Sequence, residues 1–321
     1  MPAGGGANPL VVHVLDCGIT EADWADYEAR IKALAARVKV NIDVVRHVVD
    51  MAIFKDLPAW NGAKATWTRL LAPRVLPNVD RCVFSDCDML FVANPAEMLE
   101  SLNEKGVVIA GHHEPLVDVF EGQDEAYCRS KGLPFNAATY FNAGLVAMDL
   151  DAFRQMNIVE QCFDFARKHS DVPYLDQTLL NQVCFNCKAL LSDGWGLHPT
   201  ECPAFEGQIK SIHFAGGCGW PFPKPKFYYH VLWLGLIRDA FDLWRDFETR
   251  VLDLPPLPRV KFDMRSRLLA MLFLFGARIA NLLGYKVGHA RLQRFVADCD
   301  HRTSALVTAR QDLFGDIERW R

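Results

Sequence analysis

Residues 81–92 read RCVFSDCDMLFV, and the fold is decided by this run. Apolar residues stand on both sides of two acids, Asp86 and Asp88. That pattern predicts one buried strand carrying a polar interruption. Asn94-Pro95 stops the strand, and Ala96 to Leu102 follows as a short helix. On an extended segment, residues two apart point to the same side, so Asp86 and Asp88 project together. Two buried carboxylates side by side repel and are costly to ionise. A divalent cation removes that cost, and oxygen ligands suit Mg²⁺ or Mn²⁺. A bare D-x-D is common, however, and strand-end acids that simply face water look the same.

Working outward, the N-terminal side opens with LVVHVLD from Leu10, a buried strand ending in an acid. Thr20 reads as the N-cap of a helix that runs to about Ala36. VKVNIDVV, Val38 to Val45, alternates as a strand does. Trp60 to Leu76 is helical in character until Pro77-Asn78 breaks it. On the C-terminal side, GVVIA (106–110) is a strand and residues 112–136 are a loop or lid. Phe141 to Leu150 is a strand, Asp151 to His169 a helix, Pro173 to Val183 a further helix, and Ala189-Leu-Leu-Ser a short strand. Strands alternating with helices through about residue 192 predict an α/β fold with a mostly parallel sheet flanked by helices. Ligands in such sheets sit beyond the carboxyl ends of the strands. Leu254-Pro-Pro-Leu-Pro reads as a linker, dividing a catalytic domain over 1–253 from a helical C-terminal extension over 254–321.

The chain has 321 residues, half of them hydrophobic, with a net charge of -4. It can bury a sizeable core, and it lacks the basic field of a nucleic-acid binder, so no nucleic-acid partner is expected. MPAGGGANPL has neither a basic start nor a long apolar run, so no signal peptide is expected. Ten scattered cysteines read as reduced thiols of a cytoplasmic protein. Cys184 and Cys187 form one C-x-x-C without the second pair that a zinc ribbon needs. LLAMLFLFGARIANLL (268–283) is short for a spanning helix and carries Arg278. Behind the basic RVKFDMRSR it suggests peripheral contact with the inner face of a membrane, with an ordinary packed helical subdomain as the alternative.

Further segments accompany the D-x-D. They are Arg69-Leu70 ahead of it, FNAG at 141–144, Asp176-Gln177 in YLDQTLLNQ, and His213-Phe214 in SIHFAGGCGWPFPKP. In this order and spacing, over about residues 10–225, the chain resembles the family 8 glycosyltransferases. That family includes glycogenin and the bacterial galactosyl- and glucosyltransferases of lipopolysaccharide synthesis. The resemblance implies a GT-A-like fold and a UDP-sugar donor. It implies Mn²⁺, or Mg²⁺, held by Asp86, Asp88 and His213. It implies Asn142 near the sugar hydroxyls, Asp176 and Gln177 beside the anomeric carbon, and Arg69, Gly216, Gly217 and Gly219 near the donor diphosphate. It also implies transfer of a hexose, with retention of configuration, to a glycan or glycolipid acceptor. Gln177 is a weak nucleophile, so front-face attack and a role for Asp176 as nucleophile both stay open.

Two departures from the family pattern stand out. The usual Lys-Pro-Trp is replaced by Gly219-Trp220-Pro221, and the next lysines are Lys224 and Lys226, with Lys224 the candidate for the diphosphate. The family's opening strand with its Ala-Asp-x-x-Tyr loop, which holds uracil and ribose, has no counterpart in MPAGGGANP. Glu114 is a weak match for an acid that contacts the sugar. The competing readings are a metal-dependent nucleotidyl- or phosphotransferase and a degenerate member that binds without turnover.

Overall fold

The structure is a computed structural model describing residues 10–59, 63–114, 123–199, 201–202, 205–214, 243–244 and 246–252. Gly216, Gly217, Gly219, Lys224, Lys226 and the extension from residue 254 on, with its membrane expectation, lie outside the described residues. Among the described residues, no helix is long and apolar enough to cross a membrane.

The described residues open with a β-α-β unit. Strand β1 (Leu10–Asp16) ends at Asp16, whose carboxylate accepts from the backbone N–H of Gly18 at 2.7 Å and from Arg46 Nε at 2.8 Å. Thr20 then caps helix α1 (Glu21–Val38) as expected, accepting from Asp23 N–H at 3.2 Å. Lys39 ends the helix in the left-handed conformation, φ 54°. Strand β2 (Ile42–Val48) pairs parallel with β1 from Leu10↔Ile42 to Asp16↔Val48. It starts later than VKVNIDVV suggested because the helix uses Val38 and the turn uses Lys39 to Asn41.

A 3₁₀ helix over Ala65–Leu71 continues into α2 (Ala72–Val75). This double element replaces the single helix expected from Trp60 to Leu76. It buries Trp67 and Leu70 completely. Truncating Trp67 to alanine would cost about 3–5 kcal/mol.

The remaining strands are β3 (Arg81–Ser85), β4 (Met89–Phe91), β5 (Ile109–His113), β6 (Phe141–Asp149), β7 (Lys188–Leu190) and β8 (Ser211–His213). The central sheet has the order β3-β6-β5-β7. The α/β architecture is as expected, but the strand directions correct the expectation of a mostly parallel sheet. β6 lies antiparallel between β3 and β5, and β4 runs antiparallel to β8. Only β1–β2 and β5–β7 are parallel pairs among the described strands. Apolar periodicity reports burial on both faces of a strand, not its direction, so the sequence pattern could not separate the two cases.

The run 81–92 is not one strand either. β3 leaves the central sheet after Ser85, and β4 joins the small sheet with β8, so Asp86-Cys87-Asp88 forms the turn between two sheets.

The helices also differ from the periodic reading. The helix expected over 151–169 is two, α4 (Leu150–Gln155) and α5 (Ile158–Lys168), broken at Asn157 with φ 53°. The stretch read as a loop or lid contains α3 (Gln123–Lys131), whose polar sequence QDEAYCRSK conceals buried Asp124, Tyr127 and Cys128. Helix α6 (Asp176–Val183) starts three residues later than expected, after Leu175 at φ 43°. Its buried face, Leu179 and Leu180, packs into the main core with Phe54, Phe141, Phe153 and Trp67. The segment around Leu243 and Val251 packs on Ile212 and Phe214 beside β8.

Candidate active site

The turn between β3 and β4 presents Asp86 and Asp88, and β8 brings His213 opposite them through the pair Met89↔His213. The turn is held by its backbone: Asp86 N–H donates to Gly144 C=O at 2.7 Å, and Phe214 N–H donates to Asp88 C=O at 2.9 Å. One ligand atom from each of Asp86, Asp88 and His213 lies within 4.8 Å of the others. Asp88 Oδ1 is buried and accepts no well-directed hydrogen bond. His213 Nε2 stands 3.3 Å from it. A buried carboxylate oxygen without a donor, facing an imidazole nitrogen and a second carboxylate, is the arrangement a shared divalent cation satisfies. Two oxygens and one nitrogen suit Mn²⁺ somewhat better than Mg²⁺.

Space for this cluster comes from Gly144 in β6. A Cβ built there would lie 2.8 Å from His213 Nε2 and 2.9 Å from Asp86 Oδ2. The glycine is required by contact, not by backbone angle, since its φ is not positive.

Arg69 is 5 % exposed and sits behind the D-x-D. Its Nε pairs with Asp176 Oδ2 at 2.7 Å and its Nη2 with Asp86 Oδ1 at 2.9 Å. Its Nη1 donates to Ala143 C=O, and the guanidinium carbon stands 4.7 Å over the Phe84 ring. Each guanidinium nitrogen is therefore engaged by the protein, and the residue clamps the Asp86–Asp88 turn to α6. Asp176 is 4 % exposed and also accepts from Thr66 Oγ1. Burial pushes the Asp176 and Asp86 carboxyls upward, and Arg69 pulls both back. The clamp thus offsets part of the cost of burying two nearby acids.

A second polar cluster lies beside the first. Asn142 Nδ2 donates to Glu114 Oε2 at 2.7 Å, and Gln177 Nε2 approaches the same oxygen at 3.4 Å. Gln177 Oε1 accepts from Ala143 N–H at 3.1 Å, and Asn142 Oδ1 from Gly144 N–H at 2.8 Å. The two amides are oriented by backbone on one side and by a carboxylate on the other. Glu114, the weak match in the sequence, is thereby placed among the expected residues. Thr66 and Asp124 were missed, because neither belongs to a motif and their partners are far away in sequence.

Asp124, 1 % exposed, accepts from Thr178 Oγ1 at 2.5 Å and from Tyr140 Oη. It ties the start of β6 to the first turn of α6, next to Asn142 and Gln177. Burial pushes its carboxyl from 3.8 up to about 6, against the pull of the two hydroxyls. A raised carboxyl favours the folded state fully below the unfolded value, and that advantage is lost as pH rises through the folded value. Between about pH 4 and 7 the wild type is expected to lose roughly 2–3 kcal/mol relative to Asp124→Asn. Urea unfolding of both proteins across that range measures the gap, and a constant gap would refute the assignment.

A mixed sheet flanked by helices, with an acid-histidine cluster at the strand ends, is the architecture of the GT-A class of glycosyltransferases. Residues 8–218 match the model of Glycosyl transferase family 8. The chain belongs to that family. It is 26 % identical over 138 residues to a putative glycosyltransferase of Haemophilus influenzae, covering 43 % of this chain and 40 % of that protein. It is 25 % identical over 199 residues to general stress protein A of Bacillus subtilis, covering 59 % of this chain and 60 % of that protein. The matched stretches thus span about half the length of these relatives. Among solved structures, the galactosyltransferase LgtC in complex with donor and acceptor sugar analogs superposes with a TM-score of 0.52. It is 20 % identical and covers 64 % of this chain and 76 % of that one, a likeness of fold.

Proposed function

We propose that this chain is a metal-dependent, retaining glycosyltransferase that moves a hexose from a UDP-sugar to a glycan or glycolipid acceptor. The observation that carries the reading is the convergence of Asp86, Asp88 and His213 around the orphaned Asp88 Oδ1, beside the Glu114, Asn142 and Gln177 cluster. When bound there, Mn²⁺ or Mg²⁺ supplies a Lewis acid for the leaving diphosphate. Residues 1–253 form the catalytic unit in this reading. Diphosphate contacts from Gly216, Gly217, Gly219 and Lys224 are part of it. Arg69 serves by holding Asp86 and Asp176 in place.

The bond that breaks is the one between the anomeric carbon and the diphosphate oxygen, through an oxocarbenium-like transition state. Asn142 and Glu114 hold sugar hydroxyls. Asp176 is enclosed by Arg69 and Thr66, which disfavours its use as a nucleophile. Gln177 is partly exposed and fixed by Ala143 N–H, so its amide stabilises the cationic sugar while the acceptor attacks from the leaving-group face.

A panel of UDP-sugars, incubated with and without Mn²⁺, tests the proposal. UDP release that depends on the metal, with no pyrophosphate, is the expected result. Pyrophosphate release would favour a nucleotidyltransferase, and failure to bind UDP with Mn²⁺ would favour a degenerate binding protein. Proton NMR of the first-formed product is expected to show the donor's α configuration. A β-linked product would mean inversion and overturn the mechanism.

A further inference from the structure

The Cys184-Phe185-Asn186-Cys187 segment takes no part in the site above. It is the turn that ends α6 and enters β7, with Cys187 N–H donating to Cys184 C=O at 2.9 Å. A turn closed by this bond keeps its end Cα atoms within about 7 Å, which overlaps the separation a disulfide spans. The two thiols are neighbours that shift each other's ionisation in opposite directions. Cys184 is fully buried, whereas Cys187 is partly exposed. Lys188 Nζ is anchored on Asn181 Oδ1 at 2.8 Å and Asn181 C=O at 3.2 Å, and stands 5.3 Å from the Phe185 ring centroid. The same Asn181 side chain accepts from Phe141 N–H at 3.1 Å and donates to Phe141 C=O at 2.8 Å, at the start of β6. The cysteine turn is therefore wired to the strand that carries Asn142.

We propose that Cys184 and Cys187 are a reversible thiol–disulfide site, with Cys187 as the attacking thiolate, Cys184 as the resolving thiol and a small-molecule disulfide as the oxidant. The Cys187 sulfur attacks one sulfur of the small disulfide, whose S–S bond breaks and releases one thiolate. Cys184 then gives up its proton, and its sulfur attacks the Cys187 sulfur of the mixed disulfide, expelling the second thiolate. Both leaving groups are protonated, so two protein thiols are oxidised by two electrons and one small disulfide becomes two thiols. The burial pattern suits this order, with the accessible sulfur attacking first and the enclosed one resolving. The neighbouring Cys184 thiol, aided by the charge of Lys188, lowers the Cys187 thiol to about 7. Burial raises Cys17 and takes Cys82 to about 12.

The test uses the full chain. At pH 7, iodoacetamide is expected to alkylate Cys187 roughly tenfold faster than Cys17, because the thiolate is the reactive form. After treatment with oxidised glutathione and blocking of free thiols, the peptide holding both cysteines is expected to be lighter by two hydrogens and to be restored by dithiothreitol. Cys184→Ser is expected to retain a glutathione adduct on Cys187, and Cys187→Ser to carry none on Cys184. Alkylation of Cys187 no faster than Cys17, a peptide that stays reduced, or an adduct that persists on wild-type Cys187 would each overturn the proposal. The alkylation rate and the wild-type peptide map decide the matter even if a serine variant fails to fold.

Discussion

The double variant Asp86→Asn, Asp88→Asn is expected to lose sugar transfer by at least about a hundredfold, and chelation of the wild type is expected to do the same. Both carboxylates lie close to His213, and the buried Asp88 Oδ1 accepts no well-directed hydrogen bond. Each amide keeps the volume of its acid but removes a charge from the ligand set, so the loss falls on metal binding and on stabilisation of the leaving diphosphate. Several kcal/mol of transition-state stabilisation corresponds to a hundredfold or more. Asp86 also answers Arg69 at 2.9 Å, so the double change disturbs the clamp as well as the metal site. Asp88→Asn alone separates the two effects, because it leaves the Arg69 pairs with Asp86 and Asp176 intact. Calorimetry with Mn²⁺ and a transfer assay with Mn²⁺ added back read the outcome. Full activity of the double variant would sink the assignment.

Gly144→Ala is expected to reduce both Mn²⁺ affinity and transfer, the latter by about a hundredfold, although residue 144 has no ligand atom to lose. The new methyl would fall within 2.8 Å of His213 Nε2 and 2.9 Å of Asp86 Oδ2. Contacts that short force the imidazole or the carboxylate aside, and a displacement of about 1 Å in a preorganised site can cost a hundredfold. The overpacking itself costs roughly 1–3 kcal/mol of stability, which leaves a folded protein to assay. Unchanged metal affinity and rate in a folded Gly144→Ala protein would show that β6 does not press against the ligands as described. A loss of rate with a normal circular dichroism spectrum is the expected pattern.

Much of the candidate site was legible through the family resemblance, whose residues travel in short local motifs. The acids of S-D-C-D, the FNAG run and the D-Q pair each lie within a few residues of one turn or helix start, where side-chain type and backbone geometry go together. His213 was legible only through the resemblance, since a histidine at a strand end carries no signal of its own. The supporting residues were not legible. Thr66 meets Asp176 across 110 positions of sequence, and Asp124 meets Thr178 across 54. No periodicity records such pairings. Asp124 also sits in a helix so polar that its sequence suggested a loop.

Arg69 shows where the division falls. Its presence one helix before the D-x-D was read from the sequence, together with an expectation that it lies near the donor diphosphate. The structure turns its guanidinium onto Asp86, Asp176 and Ala143, partners supplied by three separate elements. Strand direction divides in the same way. Apolar runs indicated where the strands lie, although β1 and β3, read as buried, are mostly part-buried, because burial depends on what packs over a strand. Whether β6 runs with or against its neighbours depends on which edges pair after the chain has turned back. The sequence alone thus indicated the α/β class from its apolar patterning and, through the family resemblance, the candidate metal-binding acids and histidine with the amide pair beside them. Only the tertiary structure decided the mixed sheet, the break of the 81–92 run into two sheets and the partners of Arg69. Those depend on contacts between distant segments, whose free energy exists only when the whole core has closed around them.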